Sequence, residues 1–236
     1  MLSPRQAFIS GTHVTSVGVY FNQALLAVRL AKSENEMVQA QATAWMKHLR
    51  KVGERFTEMV GRATRIALDN GMNDAFAPTS PSDYLEWANL LNDFCSSKLE
   101  TDSFRHALYL YGYCIGEALT TLAVLCTCAD FQRKLNIPLN DEIAEGVESL
   151  HDTFARWEKV SKAIGSNKKY RMFNREWRRL NNLHLSIIEN DLQDFETTSL
   201  DEATPKLRDL SDQLTNAERD LLELLPGEGA TEKTIF

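Results

Sequence analysis

The chain has no C-x-x-C pair, no glycine-rich phosphate loop, no G-x-S-x-G elbow and no H-E-x-x-H helix. The common signatures of thiol-redox, nucleotide, serine-hydrolase and zinc-protease chemistry are therefore missing. Glycine and proline are scarce, 11 and 6 among 236 residues, which fits long helices better than a many-turned β architecture. Cysteine is scarce too. Of Cys95, Cys114, Cys126 and Cys128, three fall in one apolar run, where a thiol behaves as a small hydrophobe. They read as reduced and buried, which predicts a cytoplasmic protein. The opening MLSPRQAFISGTH lacks a basic stretch followed by a continuous apolar one, so no signal peptide is expected. A net charge of −7 argues against nucleic-acid binding by the chain as a whole.

What is present is apolar and helical. Hydrophobic residues make up 43% of the chain and charged residues 25%, the balance of a globular protein rather than a disordered one. From Val38, the residues Ala42, Trp45, Leu49, Val52, Phe56, Met59, Ala63 and Ile66 follow at steps of four and three. That heptad spacing lays an apolar stripe along one helix. It is read first as a face packed within the chain, and second as a coiled-coil seam or a stripe for a hydrophobic surface. The span from Ala107 to Ala129 is almost wholly apolar and long enough to cross a bilayer. Glu117 at its middle would cost about 2.5–3.5 kcal/mol on insertion scales. With Gly112, Gly116, Thr120 and Thr121 it forms a weakly polar strip better met by protein than by lipid, so the span is predicted to be a buried central helix, not an integral membrane span.

The fold expected is all-α, an elongated antiparallel helical bundle with one long heptad-patterned helix. Ser3-Pro4 has the form of a helix start, but Gly11 is expected to stop it, with a new helix over about 16–32. Ser33 and Glu36 have capping-box spacing for the heptad helix, and Asn70-Gly71 is its stop. Further helices are predicted at 83–99, from Thr101 or Asp102 to about 136, at 141–164, at 174–192 and at 202–225. The organisation read from this is an N-terminal helical region 1–71, a Pro-containing linker 72–82, a bundle 83–192, and an acidic helix and tail 193–236. Within it a basic stretch, Lys159 to Arg179, precedes a stretch from Asp191 to Phe236 with twelve acids against four bases; internal pairing of the two is the first reading.

Tyr84, Leu85, Trp87 and Asp93, the step Thr101-Asp102-Ser103-Phe104, and Leu135-Asn136-Ile137-Pro138 with Asp141-Glu142-Ile143 occur in a telling order. The stretch 84–157 resembles the accessory, non-catalytic subunit of two-component polyhydroxyalkanoate synthases, although Leu139-Asn140 stands where that family has Thr-Arg. The heptad helix before it resembles those of phasins, which coat polyester granules. The resemblance implies a homo-oligomeric accessory protein without cofactor, metal or catalysis of its own. It would bind a polyester synthase or a hydrophobic granule surface through Trp45, Leu49, Val52, Phe56, Tyr84, Trp87 and Phe104.

Two other readings stand beside it. Arg179 and His184, with four residues between them, resemble the R-x(4–6)-H pair of HEPN ribonucleases, in which the His does acid–base work and the Arg steadies phosphate charge. Here Leu180 follows the Arg where that family has a polar residue. In that reading Lys168, Lys169, Arg171, Arg175, Arg178 and Arg179 would meet nucleic acid, with Tyr170, Phe173 and Trp177 interleaved. The last reading is a helical protein–protein interaction module. His13, His48, His106 and His151 have no second His or Cys at helical spacing; Asp102 lies four before His106 and Glu148 three before His151, but two ligands are too few for a metal site, and none is expected.

Overall fold

Helix boundaries follow local chemistry. In the computed structural model, residues 2–72, 81–99, 103–135, 140–166 and 200–225 are described. They form α1 (Pro4–Leu30), α2 (Glu36–Asp69), α3 (Pro81–Lys98), α4 (Phe104–Leu135), α5 (Asn140–Ser166) and α6 (Leu200–Leu224), with no strand among the described residues. The fold is all-α. Ser3 caps α1 reciprocally with Gln6: Ser3 Oγ accepts from the Gln6 N–H (3.2 Å) and Gln6 Oε1 accepts from the Ser3 N–H (2.9 Å). At the start of α2 the cap is Asn35, not Ser33. Its Oδ1 accepts from the N–H groups of Met37 and Val38, because the acceptor must sit one residue before the helix to reach its free amides. Asn70 and Gly71 close α2 as expected, with Gly71 at φ +94°, a left-handed geometry that only a residue without Cβ adopts cheaply. α4 begins later than Thr101 or Asp102: Ser103 Oγ accepts from the His106 N–H at 3.1 Å.

Gly11 does not stop α1. The helix runs unbroken through it from Pro4 to Leu30, because the space beside Gly11 is filled by α4. A Cβ there would strike the Tyr109 carbonyl oxygen and come within 2.9 Å of the Tyr113 nitrogen. A Cβ on Gly112 would meet the Phe8 carbonyl and stand 3.0 Å from Thr12 Oγ1, and one on Gly116 would strike Thr15 Oγ1 and stand 2.7 Å from the Thr12 carbonyl. The small residues let two backbones touch, as small-xxx-small helix pairs do. Thr15 Oγ1 donates within its own helix toward the Gly11 and Thr12 carbonyls and sits 3.3 Å from the Tyr113 carbonyl across the interface.

This contact overturns the antiparallel expectation for the pair. Phe8 lies opposite Gly112, Thr12 opposite Gly116, and Ala27 in one cluster with Cys128, so α1 and α4 run parallel. The chain achieves this by returning twice along α1. α2 comes back against it, with Leu49 at Tyr20 and Trp45 at Ala27, and α3 does the same, with Tyr84 stacked on Phe21 (4.2 Å) near one end and Cys95 beside Ser10 near the other. α5 is antiparallel to α4: Gly146 meets Leu125, Arg156 meets Glu117 and Trp157 meets Tyr111. α6 packs on α4, adding Leu214 and Leu225 to the core around Phe154 and Trp157.

The apolar span is a core helix, as its composition predicts. Phe104–Cys128 is long and apolar enough to cross a membrane, the one such helix among the described residues, yet more than half of its most apolar window is buried inside the molecule. Its polar strip is matched by protein. Gly112 and Gly116 face α1, and the Glu117 carboxylate lies 3.0 Å from the Arg156 guanidinium on α5. The heptad stripe of α2 likewise turns inward: Val38, Ala42, Trp45, Leu49, Ala63 and Ile66 are all buried within the chain.

Candidate functional site

The residues singled out for partner binding lie mostly in the interior. Trp87 is 1% exposed, with its indole N–H donating to Thr64 Oγ1 at 3.1 Å, and Phe104 is 1% exposed in the α4–α5 core. Trp45 and Leu49 are buried between α1, α2 and the end of α4. Tyr84 is half-buried and stacked on Phe21. These five side chains are packed by the fold itself, and an apolar stripe looks the same in sequence whether its partner is another helix or another molecule. Val52 and Phe56 belong to α2, but their side chains lie outside the described set, and Arg179, His184 and the basic stretch from Lys168 also lie outside the described residues.

What α1 and α2 leave open is a groove along the flank of the heptad stripe. The second half of α1 supplies Tyr20, Phe21, Ala24 and Val28; α2 supplies Thr43, Met46, Lys47, Leu49 and Arg50. On α2 the positions Thr43, Met46, Lys47 and Arg50 recur at three to four residues, so they share one face beside the inward-turned Ala42, Trp45 and Leu49. The groove encloses about 600 Å³, within the roughly 300–1,000 Å³ of ligand pockets. Trp45 and Leu49 pack against α1 and the end of α4, while the short side chains of Ala24 and Thr43 leave the neighbouring space unfilled.

One end of the groove is fixed by Tyr20, whose hydroxyl donates to the Leu49 carbonyl at 2.8 Å, and by the edge-on contact of its ring with Phe21. Burial, and secondarily Tyr84, holds the Tyr20 phenol above its usual range, so it stays a neutral donor. The exposed Lys47 and Arg50 place positive charge along the α2 side, and Val28, 43% exposed, continues the apolar floor toward solvent; Leu25, 47% exposed, lies on the same stretch of α1. The sequence signal that could have found this groove is the small residue Ala24 set among Tyr20, Phe21 and Val28 on a helix apolar on more than one side.

The buried reactive groups are held in inert forms. Burial pushes the Cys95 thiol up to about 11 and the Cys114 thiol up to about 12, far from the thiolate state a nucleophile or metal ligand needs. Tyr109 and Tyr111 are raised by burial as well, and the Tyr109 hydroxyl donates to Asn92 Oδ1 at 2.6 Å. The cysteines carry no disulfide. Among the described residues no cluster of three or more His, Cys, Asp or Glu side chains could hold a metal ion.

Comparison of the chain with protein-family models, with curated proteins and with solved structures finds no match.

Proposed function

We propose that this is a cytoplasmic helical accessory protein, acting by binding, whose α1–α2 groove takes an apolar segment of a protein partner bearing acidic side chains. The observation that carries the reading is the groove itself: an apolar trough of about 600 Å³ with Lys47 and Arg50 along one side. Apolar contact would supply the affinity, and the two cations would orient the segment and favour acidic flanks. A segment that buries a few hundred Å² there gains several kcal/mol before the entropy of docking is subtracted. The resemblance of residues 84–157 to the polyester-synthase accessory subunit makes a polyhydroxyalkanoate synthase the first partner to try.

The test is co-purification of the full chain with such a synthase, wild type against Ala24→Trp, which fills the groove, and against Lys47→Glu with Arg50→Glu, which reverses its charge. Loss of association in both variants, with unchanged helicity and melting, supports the proposal. Association that survives both substitutions overturns the groove as the site.

A further inference from the structure

At the opposite end of the α1–α2 pair lies a second cleft of different chemistry. It is lined by Arg5, Gln6 and Ile9 from the first turns of α1 and by Arg62, Arg65, Ile66 and Asp69 from the last turns of α2, and encloses about 350 Å³. Three guanidiniums and one carboxylate give the lining a charge of +2 in a chain whose net charge is −7. Among the described residues, no carboxylate is within ion-pair distance of Arg5, Arg62 or Arg65, Asp69 included.

Other features add to this positive end. α1 has no acidic residue in its first turn. Its N-terminus and the C-terminus of α2 meet here, so their opposed macrodipoles offset one another and the side chains set the sign. Gln6 Oε1 is committed to the Ser3 N–H, which leaves its amide nitrogen as a further donor. His13, which feels the charge of Arg62, is kept neutral first by burial and then by that charge, so it does not add to the positive lining.

We propose that this cleft binds a compact phosphate anion, a pyrophosphate group, gripped by Arg5 from α1 and by Arg62 and Arg65 from α2. The guanidinium is suited to it because its planar fork offers paired N–H donors to two phosphate oxygens and keeps its charge at any physiological pH. Arg62 and Arg65, three apart, project from one face of α2, and Arg5 reaches from the neighbouring helix, so donors come from two sides. Ile9 and Ile66 form an apolar patch in the lining, and the Asp69 carboxylate, which repels an anion, is outnumbered three to one by the arginines. The volume is near the lower end of ligand pockets and suits a diphosphate rather than a large body. The site rests on observations separate from the α1–α2 groove, so each can fail alone.

The experiment is calorimetric titration of the full chain with inorganic pyrophosphate, with ADP and with a mixed-sequence RNA oligonucleotide. The wild type is compared with Arg62→Gln/Arg65→Gln, with Arg5→Gln, and with Lys32→Gln at the far end of α1 as a charge control. Saturable pyrophosphate binding that weakens with added salt, falls about tenfold or more in each arginine variant and is unchanged in Lys32→Gln supports the site. Equal affinity for ADP would place the rest of the nucleotide outside the cleft, whereas tighter ADP binding would make a nucleotide the source of the diphosphate; both keep the proposal. Binding of RNA without saturable pyrophosphate binding overturns it, as does pyrophosphate affinity unchanged in a folded Arg5→Gln protein.

Discussion

The two halves of α1 show how differently one helix can pack along its length. From Pro4 to Val17 it is enclosed on nearly every side, and even its Ser10, Thr12, Thr15 and Ser16 are buried. From Gly18 to Leu30 it carries more hydrophobic residues, yet Leu25 and Val28 face solvent and the groove opens beside Ala24. The polar half is the buried half. Hydroxyls on Ser and Thr are small enough to let backbones touch and can turn back to carbonyls of their own helix, as Thr12 does to Phe8 at 3.1 Å, so they cost little to bury. In the apolar half a Cβ on Gly18 would meet nothing within 4 Å, and Leu25 and Val28 stay nearly half exposed.

The comparison breaks most completely at the α1–α4 contact. Gly116→Leu should drive α4 off Thr12 and Thr15 and lower stability by about 4 kcal/mol or more, at the limit of what single changes do; urea unfolding followed by circular dichroism measures it. Leu25→Ala in the open half, whose side chain is nearly half exposed, should cost less than about 1 kcal/mol by the same assay. If the two changes prove equal, the halves do not differ in packing.

A second measurement is pH dependence in the enclosed half. His13 has its pKa lowered from 6.5 to about 4, chiefly by burial and then by Arg62. The folded state therefore resists a proton that the unfolded state takes up below 6.5. Stability due to this group is complete above pH 6.5 and is lost as pH falls toward 4, by about 3 kcal/mol across that window. Unfolding curves at pH 7, 5.5 and 4 should show the fall, and His13→Gln should make it shallower by that amount. An unchanged slope would place His13 in water.

The smallest effects sharpen the contrast between glycines. A Cβ on Gly18 or Gly61 meets nothing within 4 Å, so Gly18→Ala should stabilise by about 0.5–1 kcal/mol through helix propensity and reduced freedom of the unfolded chain. Thermal melting should rise by a few degrees, about 2–4 °C for a chain of this size. Gly11→Ala, seven residues earlier in the same helix, should instead lower it.

Trp87 and Phe104 carry a related lesson. Both belong to the stretch whose motifs resemble an accessory subunit, and in sequence both are candidates for meeting a partner. Their burial makes Trp87→Ala a stability variant, expected to cost about 3–5 kcal/mol, so a lost interaction in that variant would report unfolding. Nothing in the local pattern could separate the cases, since the same i, i+3, i+4 spacing serves any apolar neighbour. The groove was hidden for the converse reason: it is made by what Ala24 and Thr43 fail to fill between two helices far apart in sequence.

By itself the sequence determined that the protein is helical, that Ser3-Pro4 opens α1 and Asn70-Gly71 closes α2, and that the span around Gly112–Thr121 belongs in a core. Those features depend on the backbone's needs within a few residues, on free amides, on a left-handed φ, and on one carboxylate in an apolar run. Only the tertiary structure decided that Gly11 continues a helix, that α1 and α4 lie parallel, that the heptad stripe faces inward, and that three arginines converge at one end. Each depends on what stands opposite a residue, and that neighbour is brought there by packing across the chain rather than by anything written beside it.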